Sequence, residues 1–419
     1  MSTTQQTEPM ILGWLDNNQA EQEEMKELLS LLQEKGTLDE LGIGTIRDAF
    51  SNQLFPGITT IQTRAKYLVI LLYLLKETDL EAKKAVEKDR PATPEALIRL
   101  LNEKQDKLVD VFEKNGLKER GVIGIRSRNV VQKPAYIYWG ALTTFGIVNP
   151  NLSLYQLCSL FCQNAKTTNQ KRNSFTANNR KKKEEDDDYF EDAPDAFLDY
   201  PALYSPITWK INNWRDGLTM KLTYDEAKFI SDKILSSPRS QNSALAQLLR
   251  YYRDEDVVCD FSDVDQIPED VLDERMKRIF QLAKAFRRFI FGAYMAYNYL
   301  LSNRTDKVLK EVYDNWKQQD FNLVPLPEIL SVTRASFPQT LFLNELLSHA
   351  KAGEWNRYEH CIQKREKELK GNRRKIGTFN EDNPYTSPFV FPEDVDTLLL
   401  DFRAHRAGVI LKDILKGLI

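Results

Sequence analysis

Apolar residues recur at helical spacing along most of this chain, most densely between Pro268 and Ser302. There Ile279, Leu282, Phe286, Phe289, Ile290, Ala293, Met295, Tyr297 and Leu300 build a wide stripe, with Arg275, Lys277, Lys284 and Arg288 largely opposite. The pattern is that of an amphipathic helix whose aromatic stripe is core. Gly292 and Ala293 are small enough to let another helix approach. The same period returns at Asn18 to Lys35, from Thr59 or Thr60 to Leu75, and from Thr93-Pro94-Glu95 to Asn115, where Gly116 is a stop signal. It returns again after the Thr223/Glu226 capping box, at Leu341 to Ala352, at Trp355 to Leu369 and from Asp394 onward. Strand signals are confined to Val122 to Ile125 and Leu218 to Leu222. The spacing predicts a mainly α fold, multi-helical and two-lobed, with minor short β elements.

A length of 419 residues exceeds one ordinary core. Between Gln163 and Pro194 the composition turns polar, and Arg180-Lys181-Lys182-Lys183 is followed at once by Glu184 to Asp188. Such a stretch buries little, and its acidic half cancels the long-range field of its basic half. The expected division is an N-terminal helical domain (1–163) carrying a basic and aromatic segment, a charged disordered linker or loop (164–195), and a C-terminal helical domain (196–419).

A formal net charge of −3 excludes whole-molecule attraction to nucleic acid, so any such contact must come from local patches. Cys158, Cys162, Cys259 and Cys361 have neither disulfide-framework nor zinc spacing; Cys158 and Cys162 share a helix face with Leu157, Leu160 and Phe161 and read as buried, reduced thiols. The polar start lacks a signal-peptide layout, and the longest apolar run, Tyr67 to Leu75, falls far short of a bilayer span. The expectation is a cytoplasmic protein without membrane contact.

No P-loop, dinucleotide fingerprint, helicase signature, nucleophile elbow or phospholipase D-type signature is present. His349, His360 and His405 stand in no metal or nucleophile-activating spacing. No catalytic residue, metal site or cofactor is expected. Four basic places suggest binding instead. The first runs from Gly42 to Tyr67, where Arg47, Arg64 and Lys66 crowd a helix start that favours an anion. The second, Lys118 to Lys133, holds Arg126, Arg128 and Lys133 and leads into Tyr136, Tyr138 and Trp139, a cation-plus-aromatic arrangement suited to a nucleic acid. The third, Trp355 to Lys375, contains Arg365, Lys370, Arg373 and Arg374; the fourth is the short Arg403 to Arg406. Each has a structural alternative as well: caps, core aromatics or a solvated helix end.

The run Gly42-Ile43-Gly44-Thr45-Ile46-Arg47-Asp48-Ala49-Phe50, with Leu54-Phe55-Pro56-Gly57-Ile58-Thr59-Thr60-Ile61-Gln62-Thr63-Arg64-Ala65-Lys66-Tyr67, resembles the hallmark of an uncharacterised bacterial family catalogued as a domain of unknown function. Gly13-Trp14-Leu15-Asp16, Pro134 to Ile147, Leu222 to Ala227, Gly292-Ala293-Tyr294, Arg365 to Gly371 and Asp401-Phe402-Arg403 to Leu418 extend the similarity. The resemblance implies a setting in prokaryotic antiphage defence loci, beside helicases, phospholipase D-like nucleases or DNA methyltransferases, and no catalytic residues. The expectation is a non-enzymatic subunit that contacts DNA, RNA or a helicase, nuclease or methyltransferase partner. Its rivals are a nuclease whose active site assembles from separated residues and a helical protein-interaction scaffold.

Overall fold

The computed structural model describes residues 40–118, 121–124, 132–182, 203–209, 213–254, 259–377 and 400–419, with 171–182 as backbone. Thirteen α-helices account for most of these residues. They are α1 (Gly44–Leu54), α2 (Lys66–Glu87), α3 (Pro94–Lys114), α4 (Pro134–Thr144), α5 (Leu154–Lys182), α6 (Tyr224–Ser236) and α7 (Ala244–Asp254), then α8 (Glu274–Leu301), α9 (Lys307–Trp316), α10 (Leu326–Thr333), α11 (Phe337–Ala352), α12 (Trp355–Lys370) and α13 (Ala404–Leu418). The expected helix at Asn18 to Lys35 and the Pro-rich stretch 383–392 lie outside the described residues.

Local signals set most of the helix ends. Thr93 Oγ1 accepts the Ala96 N–H at 3.3 Å and Pro94 occupies the first helical position, so α3 starts where its sequence says. Gly116, at φ +71°, follows its end. At α6 both halves of the capping box form: Glu226 N donates to Thr223 Oγ1 at 3.4 Å and Thr223 N to Glu226 Oε2 at 2.9 Å. The long α8 starts at Asp273, whose carboxylate accepts the Met276 N–H at 2.7 Å. Gly292 lies on its buried side against α9; a Cβ there would stand 2.1 Å from the Trp316 indole, so only glycine admits that ring. The indole N–H in turn donates to Arg288 O at 2.8 Å.

Two expectations are corrected by tertiary contacts. The stretches 122–124 and 218–222 form no strand, because side chains rather than a neighbouring strand take up backbone groups near them. Ile123 N donates to Tyr67 Oη at 2.7 Å, and Met220 O accepts from Arg64 Nη2 at 3.3 Å. Among the described residues the one β-bridge pairs Val148 with Tyr204. Residues 164–182, part of the stretch 164–195 expected to be a disordered linker or loop, continue α5, while 183–195 lie outside the described residues. Leu157, Cys158, Phe161, Cys162 and Ala165 bury one side of that helix near α2 and α3, and a helix so nucleated extends into polar sequence at low cost.

The apolar core is a single cluster that draws residues from either side of the expected linker, from Leu41 and Ile43 through α2, α4, α7 and α8 to Ile410 and Ile414. From Lys66 to Leu75 every residue of α2 is buried, as an all-round apolar helix requires. The C-terminal α13 packs on α6 and α7; at Gly408 a Cβ would lie 2.3 Å from Phe261 O. All four cysteines are free and buried, and burial pushes the thiols of Cys158 and Cys361 up to about 12. Among the described residues no helix is long and apolar enough to cross a membrane.

Candidate nucleic-acid interface

The polar residues between Gly57 and Tyr67 act mainly as internal struts. Gln62, buried, donates to Gly57 O at 2.9 Å, and Thr63 Oγ1 donates to Gly121 O at 2.6 Å. The buried Tyr138 Oη of α4 accepts the Thr63 and Arg64 N–H groups at 2.8 and 2.9 Å and donates to Arg64 O at 2.9 Å. Neither Thr59 nor Thr60 opens a helix; α2 begins at Lys66, with Ala65 as N-cap and no capping side chain of its own. The acceptor comes from the other end of the chain. Asp413 on α13 takes the Ala65 N–H at 2.9 Å and Arg64 Nε at 2.9 Å, placing a carboxylate where the dipole of α2 favours one.

Lys66 is held similarly. Its ammonium meets Glu226 Oε2 at 2.5 Å, and both side chains are about 5% exposed. Glu226 Oε1 accepts from Tyr73 Oη at 2.9 Å, and that hydroxyl accepts from Trp209 Nε1 at 2.8 Å. Arg365 is buried, donates from Nε to Leu41 O at 3.0 Å and lies over the Phe342 ring. Arg64, half-buried, and Lys66 and Arg365, both buried, are thus paired within the fold, since burying a cation demands a nearby acceptor and each has one.

The remaining candidates divide. Lys133 pairs with Asp106 and Lys370 with Glu40, while Arg373 is exposed and Arg374 half-buried at the end of α12. Beside them the fully buried Glu366 accepts from Tyr297 Oη at 2.8 Å and from the Lys375 and Ile376 N–H groups at 2.8 and 3.1 Å. Arg126 and Arg128 lie outside the described residues. His349 Nδ1 sits 2.9 Å from Glu354, and among the described residues no group of His, Cys, Asp or Glu is arranged to hold a metal ion.

Arg47 is the motif cation that stays at the surface, and it has company that its sequence neighbourhood does not show. From the start of α13, Arg403 reaches under it. Its Nη1 donates to Asn52 Oδ1 and Ile58 O, each at 2.8 Å, and its Nη2 to Asp48 Oδ1 at 3.1 Å. Arg47 Nη2 lies 3.0 Å from the same Asp48 oxygen. Arg406, one turn into α13, donates from Nε to Thr60 O at 2.9 Å. Arg403 and Arg406 thus meet the Ile58–Thr60 loop through its carbonyls, and Arg47 and Arg403 share the Asp48 carboxylate. Burial lowers the Arg403 pKa, against the pull of Asp48.

The turn that delivers Arg403 is strained. Phe402 and Arg403 are consecutive left-handed residues, at φ +48° and +69°, a conformation that costs non-glycine residues roughly 1 kcal/mol or more each. Phe402 is held by its buried ring, 5.6 Å from and edge-on to Phe50 of α1. Just before it, the Asp401 carboxylate accepts the His405 N–H at 3.2 Å from both oxygens. Burial pushes Asp401 up to about 6; the His405 N–H opposes that rise, the Asp263 carboxylate adds to it, and Arg287 and Arg406 oppose it.

Residues 10–199 match a family model described as a family of unknown function, DUF6361. No curated protein and no solved structure matches the chain. The matched span contains the Gly42–Tyr67 motif and Arg47, whereas Glu226, Arg403, Arg406 and Asp413 lie beyond it. Sequence spacing therefore had no means of joining Arg47 to Arg403 and Arg406. The signal that existed was their shared presence among the segments carrying the family resemblance.

Proposed function

We propose that this chain is a binding subunit that contacts the phosphate backbone of a nucleic acid through Arg47 and Arg406, with Arg403 fixing the loop beneath them. The setting implied by its resemblance is an antiphage complex, with a helicase, nuclease or methyltransferase as neighbour. The observation that carries the reading is that Arg47 and Arg403 share one carboxylate, Asp48, while Arg403 and Arg406 donate to carbonyls of the adjoining Ile58–Thr60 loop. Arginine presents a planar fork of donors suited to phosphate oxygens, and an excess of such groups on an otherwise acidic molecule provides a local attraction. Arg64 and Lys66 hold the loop in place from behind, and Arg126, Arg128 and the exposed Arg373 are further positions to scan.

The test is binding of labelled DNA and RNA to purified protein across a salt series. Arg47→Gln and Arg406→Gln should each weaken binding without regard to base sequence. Each should also flatten the plot of log K against log salt by roughly 0.9 for every phosphate that is no longer neutralised. Absence of binding at low salt, or affinity untouched by the double variant, overturns the reading.

A further inference from the structure

We propose that Asp48 is the specificity-determining residue of the arginine face: its carboxylate fills the phosphate-binding edge of Arg47, so only a polyanion dense enough to displace it is held. The proposal rests on the phosphate-binding reading above and names what limits it.

Asp48 follows Arg47 directly on α1, within the Gly42–Phe50 run that carries the family resemblance. Its Oδ1 lies 3.1 Å from Arg47 Nε and 3.0 Å from Arg47 Nη2, and it accepts from Arg403 Nη2 at 3.1 Å. The Nε–Nη2 edge is one of the paired-donor edges by which a guanidinium grips a phosphate. Here the protein's own carboxylate already sits on it. The two cations that share Asp48 differ in how firmly they are placed. Arg403 has further anchors, donating from Nη1 to Asn52 Oδ1 and Ile58 O, each at 2.8 Å, and its side chain is 16% exposed. Arg47 is 28% exposed and Asp48 41%, so water reaches the pair they form. An ion pair that open is weak, and a phosphate oxygen can replace the carboxylate.

A lone anion therefore meets an Arg47 that is already partly neutralised, whereas a strand bearing many phosphates brings the charge needed to displace Asp48. Asparagine at this position keeps an oxygen for Arg403 Nη2 and removes the charge. The loop stays anchored and Arg47 is released. Displacing an exposed pair of this kind corresponds to about two- to fivefold in affinity.

The experiment measures fluorescence anisotropy of a short labelled oligodeoxynucleotide against full-length protein across a salt series. It compares wild type, Asp48→Asn, Arg47→Gln and the double variant. Asp48→Asn should bind about two- to fivefold more tightly than wild type at low salt. Its plot of log K against log salt should be steeper, by up to roughly 0.9 if one more phosphate is neutralised. On the Arg47→Gln background the same substitution should bring neither gain. An Asp48→Asn variant that binds no better than wild type overturns the proposal and leaves the phosphate reading intact. So does a gain that persists in full without Arg47, since it then comes from overall charge and not from the occupied edge. Wild type and Asp48→Asn that both fail to bind at low salt overturn both readings. Should Asp48→Asn fail to fold, Asp48→Ala is measured in its place with the same outcomes, since Asn52 and Ile58 still hold Arg403.

Discussion

Replacing Glu226 by Gln tests whether the Gly42–Tyr67 motif serves as an internal strut. Glu226 accepts from Lys66 Nζ, Tyr73 Oη and Thr223 N, and both members of the ion pair are about 5% exposed. Glutamine has nearly the same volume and retains an acceptor for the Thr223 N–H, so the helix cap, worth about 1 kcal/mol, is largely spared. It cannot neutralise the Lys66 ammonium, which stays buried without a counter-charge. Breaking a buried pair in this way costs about 3–5 kcal/mol. Lys66→Met should cost less, since the carboxylate left behind still accepts from Tyr73 and Thr223. The double variant should recover most of the loss, because it leaves no unpaired buried cation. Equilibrium unfolding in urea gives the numbers. Intrinsic tryptophan fluorescence is a suitable probe, because Trp209 donates to the Tyr73 hydroxyl that in turn donates to Glu226. A loss below about 1 kcal/mol for Glu226→Gln, or a double variant as unstable as the sum of the two singles, would refute the reasoning.

Three further outcomes follow from the packing and the titrations. Asp401, raised from 3.8 to about 6, contributes stability that is complete below the lower value and lost as pH rises through the upper, so its ionised form costs about 3 kcal/mol at neutral pH. Asp401→Asn should therefore be the more stable protein at about pH 7.5 and lose that advantage near pH 4, with urea midpoints at the two values as the check. Glu77 behaves in the opposite sense. Burial would raise it, but donors from Arg215, Lys104 and Trp214 outweigh burial and hold it at about 2. Its contribution is present above 4.5 and vanishes as pH falls toward 2, so Glu77→Gln should show a shallower acid-unfolding curve than wild type by circular dichroism. Gly292→Ala drives a methyl group into the Trp316 indole and should destabilise by about 1–3 kcal/mol despite alanine's better helix propensity; a variant at least as stable as wild type would show that α8 and α9 pack less tightly than this.

Helix identity was legible because it depends on near neighbours in the chain. The Thr93-Pro94 start, the Thr223/Glu226 box and the apolar period of α8 are all set within a few residues, and each forms as its spacing predicts. The boundary of α2 was not legible. Its start is fixed by Tyr138 and Asp413, and the latter stands 348 residues along the chain from Ala65. The same holds for 164–182, where polar composition suggested a linker and burial of the preceding turn on α2 and α3 sustained a helix.

The basic patches show the division most clearly. Sequence by itself determined that cations cluster in the Gly42–Tyr67 run, near Arg365 and at Arg403 to Arg406, and that the chain is helical with reduced, buried cysteines. Only the tertiary structure decided which of those cations are bound within the fold and which meet at the surface. Charge can be counted along a chain, but whether a charge is neutralised depends on carboxylates and backbone oxygens brought close by folding. Asp413 and Glu226 claim Arg64 and Lys66 for the interior, and the strained turn at Phe402–Arg403 brings Arg403 onto the carboxylate that Arg47 also uses, with Arg406 on the Thr60 carbonyl.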